Sequence, residues 1–99
     1  PLGNIGNILV MTKDYGQALK YYFKVLDIQK KVLGLRHPKT AGAYLNIGNV
    51  YFYKSDYNKA LEYYLKALTI YEKMFDDTHP YVVQCRENIE IVKIEIKNN

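Results

Sequence analysis

The sequence predicts an all-α protein, an antiparallel helix-hairpin solenoid of about five helices. Asn-Ile-Gly-Asn occurs at residues 4–7 and again, 42 residues later, at residues 46–49. The same shift superimposes Asp14-Tyr15, Tyr21-Tyr22 and His37-Pro38 on their copies. Within each copy, apolar residues recur every three or four positions, which is the period of an α-helix. A helical repeat of this length is typical of a solenoid, in which two-helix units stack side by side.

Each helix has a recognisable start. Asp14 in the first unit and the pair Ser55-Asp56 in the second precede predicted helices and offer a side-chain oxygen to the unpaired first N–H groups. Pro38 and Pro80 suit the first turn of the helices that follow, because proline lacks the N–H that a first turn leaves unpaired. Residues 89–96 alternate in polarity and also fit a β-strand, so only the repeat register favours a helix there. The expected helices cover residues 2–12, 15–33, 39–54, 57–75 and 81–97.

The 99 residues are expected to form a single repeat domain. Residues 1–37 make a first unit that is incomplete at its start, residues 38–79 a second unit, and residues 80–99 a C-terminal capping helix. The chain begins with Pro1, which suggests a fragment with further repeats upstream. The last helix is expected to end the array, because a solenoid end needs one buried and one wet face. Its apolar positions are Cys85, Ile89, Val92 and Ile96, and its charged positions are Arg86, Glu90, Lys93 and Lys97.

The second unit carries a recognisable pattern, Tyr44-x-x-Ile47-Gly48-x-x-Tyr51 followed by Ala60-x-x-x-Tyr64 and Ala67. This pattern resembles the tetratricopeptide repeat signature. The 42-residue spacing exceeds the usual length of about 34 residues. With the stretch EKMFDDTHPYVV it is similar to the kinesin light chain type of the repeat. The first unit matches at Leu2, Ile5-Gly6, Leu9, Ala18 and Tyr22, and the departures from the signature are Leu2 and Tyr44 for Trp, Leu9 for Tyr and Val25 for Ala.

The resemblance implies a right-handed superhelix that serves as a scaffold for protein–protein interaction. Small residues are expected where the two helices of a hairpin cross, because glycine inside a helix costs about 0.5–1 kcal/mol and closer packing must offset that cost. The residues expected to hold the repeats together are Gly6, Ala18, Tyr22, Tyr44, Gly48, Tyr51, Ala60, Tyr64 and Ala67.

Asparagine recurs on the first helix of each unit, on a face that differs from the apolar stripe. The resemblance implies that this helix lines the concave side of the solenoid. Asparagine can donate and accept hydrogen bonds together, which suits the main chain of an extended peptide. The alternative is that asparagine is merely a tolerated polar residue on an exposed face. The predicted peptide-binding residues are Asn4, Asn46 and Asn88, flanked by Asn7 and Asn49, with Tyr53 one turn beyond Asn49.

We therefore expect an adaptor whose partner is a protein or an extended peptide. The alternative is a structural or self-association module without a peptide client. If the last segment is helical, Ile91 and Ile94 lie near the concave side and are exposed unless a partner covers them. Homo-oligomers could also form through the exposed ends of the solenoid. Asn46→Ala should abolish binding by an adaptor and leave its helical melt intact, whereas a charge at Ile91 or Ile94 should dissociate an oligomer.

Other chemistry finds little support in the sequence. There is no Gly-rich phosphate loop, nucleophile elbow or pair of catalytic carboxylates, so we expect no enzyme, no catalytic residue and no cofactor. His37 and His79 lie beside prolines without clustered cysteines or carboxylates, which favours helix caps over a metal site. The lone Cys85 is expected to be a packed thiol and suits a reducing compartment, so a cytoplasmic location is expected.

The net charge of +4 is concentrated in residues 1–43. This excess of basic residues could attract an acidic partner, but solvated helix faces are the favoured explanation. A nucleic acid is not expected as a partner, because the basic cluster lacks interleaved aromatic residues. A membrane is not expected either, because no apolar run approaches the length of a membrane span. The basic cluster consists of Lys30, Lys31, Arg36, His37 and Lys39.

Overall fold

The computed structural model describes residues 14–98, which form four α-helices and, within that range, no strand. They are α1 (Tyr15–Leu33), α2 (Pro38–Tyr53), α3 (Tyr57–Met74) and α4 (Pro80–Asn98). Each helix packs against the next one along the chain. All their bounds lie within one residue of the predicted ones, which confirms the all-α prediction. The helix predicted over residues 2–12 lies outside the described residues.

Aspartate side chains cap the second helix of each unit. The carboxylate of Asp14 accepts a hydrogen bond from the Gln17 N–H at 3.2 Å, and the carboxylate of Asp56 accepts one from the Lys59 N–H at 3.4 Å. Each of these bonds satisfies one of the N–H groups that have no partner inside the helix. The two helices therefore begin where the predicted aspartate caps place them.

Histidine side chains perform the same task for the first helices. His37 Nδ1 accepts from the Lys39 N–H at 3.1 Å, and His79 Nδ1 accepts from the Tyr81 N–H at 3.1 Å. The proline after each histidine needs no such partner, because it has no N–H. The histidines are therefore bound to the backbone as helix caps, as expected, and the recurring His-Pro pair marks a helix start.

The two helices of the α2–α3 hairpin are joined by a tight turn. Ser55 adopts a left-handed conformation with φ of 64°, which is unfavourable for a residue with a side chain. The turn is closed by backbone bonds from the Ser55 N–H to the Phe52 carbonyl and from the Asp56 N–H to the Tyr51 carbonyl, both at 2.9 Å. Asp56 rather than Ser55 is therefore the cap, and Ser55 serves to reverse the chain.

The hairpin is tightly packed where α2 crosses α3. A Cβ atom at Gly48 would lie 2.7 Å from the Tyr64 ring and 3.3 Å from the Ala60 carbonyl oxygen, so only glycine fits this backbone position without displacement. Tyr51 is partly buried nearby. Gly6 lies outside the described residues. The buried residues among those expected to pack the repeats are Ala18, Tyr22, Tyr44, Gly48, Ala60, Tyr64 and Ala67.

The final helix buries one side and exposes the other. Cys85, Ile89 and Val92 are buried against the rest of the protein, and Ile96 is partly buried. The strand alternative for residues 89–96 is wrong, because this segment is helical throughout. The apolar residues at 89, 92 and 96 follow helical spacing and supply the buried side, which outweighs the alternating pattern.

Candidate functional site

A small cleft opens where α2, α3 and α4 meet. Its volume is about 140 Å³. One asparagine in the cleft comes from α2 and one from α4, which are the first helices of successive units. We call it the asparagine cleft. It is lined by Asn49, Phe52, Tyr53, Tyr64, Asn88 and Ile91.

Helical spacing brings these side chains together. On α2, Asn49, Phe52 and Tyr53 lie at i, i+3 and i+4 and so share one face. On α4, Asn88 and Ile91 lie at i and i+3 and share the facing side. The cleft is thus formed by one stripe of side chains from α2 and one from α4. This explains why it combines amide groups with aromatic and aliphatic surface.

A hydrogen bond orients the first amide. The Tyr64 hydroxyl donates to Asn49 Oδ1 at 2.5 Å. Tyr64 is only 3% exposed, and a buried hydroxyl without a partner would cost free energy. Burial is also the main cause that raises the pKa of Tyr64 far above its usual value. The phenol therefore stays protonated as a donor, and it engages the oxygen of Asn49 while leaving the amide hydrogens as donors.

The second amide is oriented in a similar way. Asn88 Oδ1 accepts a hydrogen bond at 3.0 Å from the Gln84 amide, one turn earlier on α4. Both cleft asparagines thus have an oxygen that already accepts a hydrogen bond. Their NH₂ groups donate to no partner within residues 14–98. Because a carbonyl oxygen is a pure acceptor, the cleft is better prepared for main-chain carbonyl groups than for N–H groups.

Apolar surface flanks the two amides. Tyr53 is 58% exposed and Ile91 is 48% exposed, which leaves both available for contact. The Tyr53 ring packs edge-on against Phe52, with ring centroids 6.1 Å apart. Phe52 in turn contacts the Tyr57 ring at 5.5 Å. The exposed tyrosine is therefore supported from below by an aromatic cluster.

The structure brings together only part of the predicted peptide-binding set. Asn49, Tyr53 and Asn88 line the asparagine cleft, but Asn46 does not. Asn46 is partly buried on α2, one turn before Asn49. Asn4 and Asn7 lie outside the described residues. The asparagine that shares a cleft with Asn88 is therefore Asn49, which is not its equivalent one repeat earlier.

Four lining or supporting residues were not predicted as peptide-binding residues, and one of them, Ile91, was expected only to lie exposed near the concave side. Tyr64 was assigned to packing alone, yet its hydroxyl orients Asn49. Gln84 orients Asn88 and carried no signal beyond its i, i+4 spacing. Phe52 had a signal, since it lies one turn beyond Asn49 and beside Tyr53. The contacts between helices could not be inferred from spacing along one helix.

The thiol of Cys85 is a packed side chain rather than part of a reactive site. Cys85 is fully buried, and its burial, with a smaller effect from Glu72, raises the pKa of its thiol to about 11. Among residues 14–98, no three His, Cys, Asp or Glu side chains are grouped so that they could hold a metal ion. None of the helices in this range combines the length and the apolar character needed to cross a membrane.

The packed antiparallel helices define a helical-repeat protein. A comparison with protein families shows which kind of repeat it is. The family model of the tetratricopeptide repeat matches residues 1–73 and 40–98. The chain therefore belongs to the tetratricopeptide repeat family, and membership of this family implies a scaffold for protein–protein interaction. No curated protein matches the chain.

A solved structure agrees with this assignment. The crystal structure of BtubC (BKLC) from P. vanneervenii is similar, with a TM-score of 0.90 and 20% sequence identity. The match covers 97% of this chain and 39% of that chain, so the present chain spans well under half of its neighbour. The similarity concerns the fold. The family model thus confirms the resemblance to the tetratricopeptide repeat, and the solved structure confirms the fold.

Proposed function

We propose that the chain is an adaptor that holds an extended peptide segment of a partner protein in the asparagine cleft. One observation supports the proposal above the others. Two asparagine amides from consecutive first helices lie in one cleft, and internal hydrogen bonds already occupy their oxygens. Donor groups fixed before binding lose less freedom when a ligand arrives, which favours binding.

The proposed contacts follow from the chemistry of the cleft. The amides of Asn49 and Asn88 would donate to main-chain carbonyl oxygens, which every peptide has. Tyr53 and Ile91 would contact one side chain of the peptide and provide selectivity. The cleft volume of about 140 Å³ is below the roughly 300–1,000 Å³ of small-molecule pockets. It therefore suits one side chain of a longer segment better than a complete small ligand.

Asn46 extends the proposed site along α2. It lies one helical turn before Asn49, so a peptide that runs along the helix would reach it next. In the same proposal, Asn4 and Asn7 would continue the binding surface into the preceding unit. This extension rests on the repeat pattern, and the asparagine cleft supports the proposal independently of it.

The test is a peptide-array screen with the full chain, followed by fluorescence anisotropy on the peptides that bind. Asn88→Ala removes one donor from the cleft without exposing a buried group, and we expect it to weaken binding about threefold to tenfold. Asn58→Ala is the matched control, because Asn58 is exposed at the start of α3 and outside the cleft. Equal binding by the Asn88 and Asn58 variants would rule out the cleft as the peptide site.

Self-association is a second candidate, because α4 exposes apolar side chains. Val83 and Ile91 lie on one shallow surface with Arg86, Glu87 and Glu90, and Ile94 is exposed further along. If this surface joins two copies of the chain, Ile94→Glu should lower the mass measured by light scattering. The same variant should bind peptides normally, since Ile94 does not line the asparagine cleft.

A further inference from the structure

A second surface lies apart from the asparagine cleft and shares no residue with it. It is a groove of about 470 Å³ between the α1–α2 loop and α3, and we call it the basic groove. Three cations line it, Arg36 from the loop and Lys66 and Lys73 from α3. Among residues 14–98, no acidic side chain lines it. Its apolar lining consists of Leu35, Tyr44 and Ile70.

The α3 side of the groove is one continuous helical stripe. Lys66, Thr69, Ile70 and Lys73 lie at i, i+3, i+4 and i+7, so they point in the same direction. The Thr69 hydroxyl donates to the Leu65 carbonyl within the helix at 2.9 Å. The stripe therefore presents a cation at each end and the small exposed surface of Ile70 between them.

Lys66 is held in place by two aromatic rings. Its Nζ lies 5.5 Å from the centre of the Tyr63 ring and 5.8 Å from that of Tyr44. These two rings stack on each other with centroids 6.2 Å apart. A cation attracted to a ring face retains its charge and much of its capacity to bind an anion. Lys66 is therefore a partly preorganised cation at one end of the groove.

The three cations of the groove have no acidic partner within the described range. In the part of the chain that the structure describes, no ion pair includes Arg36, Lys66 or Lys73. Glu72 is next to Lys73 in sequence, but its carboxylate binds Arg86 at 2.8 Å. Glu62 lies one turn before Lys66 and outside the groove. Three cations are thus concentrated around an apolar surface without local neutralisation.

We infer that the basic groove binds an acidic segment of a partner protein in which two carboxylates flank apolar residues. The spacing can be derived from the helix. Lys66 and Lys73 are seven residues apart, which is about 10.5 Å along the axis at 1.5 Å per residue. An extended chain advances about 3.3 Å per residue, so acidic residues three positions apart match the two cations. Apolar residues between them would contact Leu35, which is 56% exposed.

The same features disfavour a nucleic acid. Affinity for nucleic acids comes from many phosphate contacts, and three cations provide few. Single strands also need open aromatic faces for their bases. Tyr44 is buried and its ring is occupied by Tyr63 and Lys66. An acidic peptide uses both the cations and the apolar surface, whereas a nucleic acid would use the cations alone.

The test measures the fluorescence anisotropy of a labelled peptide with the central sequence Glu-Leu-Leu-Glu, titrated with the full chain. We expect saturable binding that weakens between about 50 mM and 200 mM salt, because exposed charges are screened. Replacing both glutamates of the peptide by glutamine should abolish most of the binding. Lys66→Gln and Lys73→Gln should each weaken binding about threefold, and the double variant about tenfold.

A control variant and a control oligonucleotide decide the outcome. Lys59→Gln removes the same charge from the same helix outside the groove and should leave binding unchanged. Lys73→Gln keeps the inference testable if loss of the ring contacts of Lys66 disturbs the fold. The inference is overturned if no saturation is reached at millimolar protein, if Lys59→Gln weakens binding as much as Lys73→Gln, or if a labelled oligonucleotide binds more tightly than the peptide.

Discussion

Gly48→Ala is the sharpest test of how the hairpin packs. The added methyl group would lie 2.7 Å from two atoms of the Tyr64 ring and 3.3 Å from the Ala60 carbonyl oxygen. The ring cannot simply rotate away, because it is buried and its hydroxyl is bonded to Asn49 at 2.5 Å. Overpacking of this kind costs about 1–3 kcal/mol, and the better helix propensity of alanine returns about 0.5–1 kcal/mol. The difference between these ranges runs from about 0 to 2.5 kcal/mol, and we expect a net loss near its middle, about 1 kcal/mol.

Gly42→Ala is the matched control on the same helix. A Cβ atom there would meet only the Tyr71 hydroxyl oxygen, at an ordinary contact distance of 3.8 Å. Helix propensity should therefore act alone and stabilise the protein by about 0.5–1 kcal/mol. Thermal and urea unfolding followed by circular dichroism measure both variants. For a domain of this size, a loss of 1 kcal/mol lowers Tm by roughly 4–8 °C.

A double-mutant cycle then isolates the cause. Tyr64→Phe removes the hydroxyl bond to Asn49 and gives the ring more freedom to move. Gly48→Ala should therefore cost less in the Tyr64→Phe protein than in the original one, with a coupling of about 0.5 kcal/mol or more. If Gly48→Ala instead stabilises the protein as much as Gly42→Ala does, the close crossing of α2 and α3 is refuted.

The remaining predictions concern local features. His37→Ala should cost about 1 kcal/mol in urea unfolding through the lost cap, whereas His37→Asn should retain most of the stability; equal losses would argue against capping. Ser55→Gly should raise Tm, because relief of the left-handed conformation gains about 1 kcal/mol. Burial raises the pKa of the Cys85 thiol from 9.0 to about 11, so the unfolded chain loses this proton first and stability should fall between about pH 9 and 11. Cys85→Ala should flatten that fall in unfolding experiments across this pH range, and an unchanged slope would contradict it.

The helices could be predicted closely because their signals are local. Asp14, His37, Asp56 and His79 are each within three residues of the N–H group that they bond. Such contacts depend on sequence distance and barely on the rest of the fold. The 42-residue repeat then supplied a second copy of every signal, so each boundary was supported twice.

The candidate site was harder to predict because it depends on how helices face each other. The repeat makes Asn46 and Asn88 equivalent, but equivalence along the chain does not make two side chains neighbours. The asparagine cleft instead joins Asn88 with Asn49, whose own equivalent is Ile91. The rotation and stagger of α2 against α4 decide this pairing, and they result from the packing of many side chains rather than from any motif.

The basic groove shows how one repeat boundary acquires a property that the next lacks. A shift of 42 residues takes Leu35 to Asp77 and Tyr44 to Arg86. At the first boundary, an aliphatic side chain and an aromatic ring line a groove whose cations form no ion pair with any residue that the structure describes. At the second boundary, Asp77 and Arg86 form an ion pair with each other at 2.9 Å, and Arg86 also binds Glu72. Because those charges neutralise each other, an acidic segment should prefer the first boundary, although both are built on the same backbone.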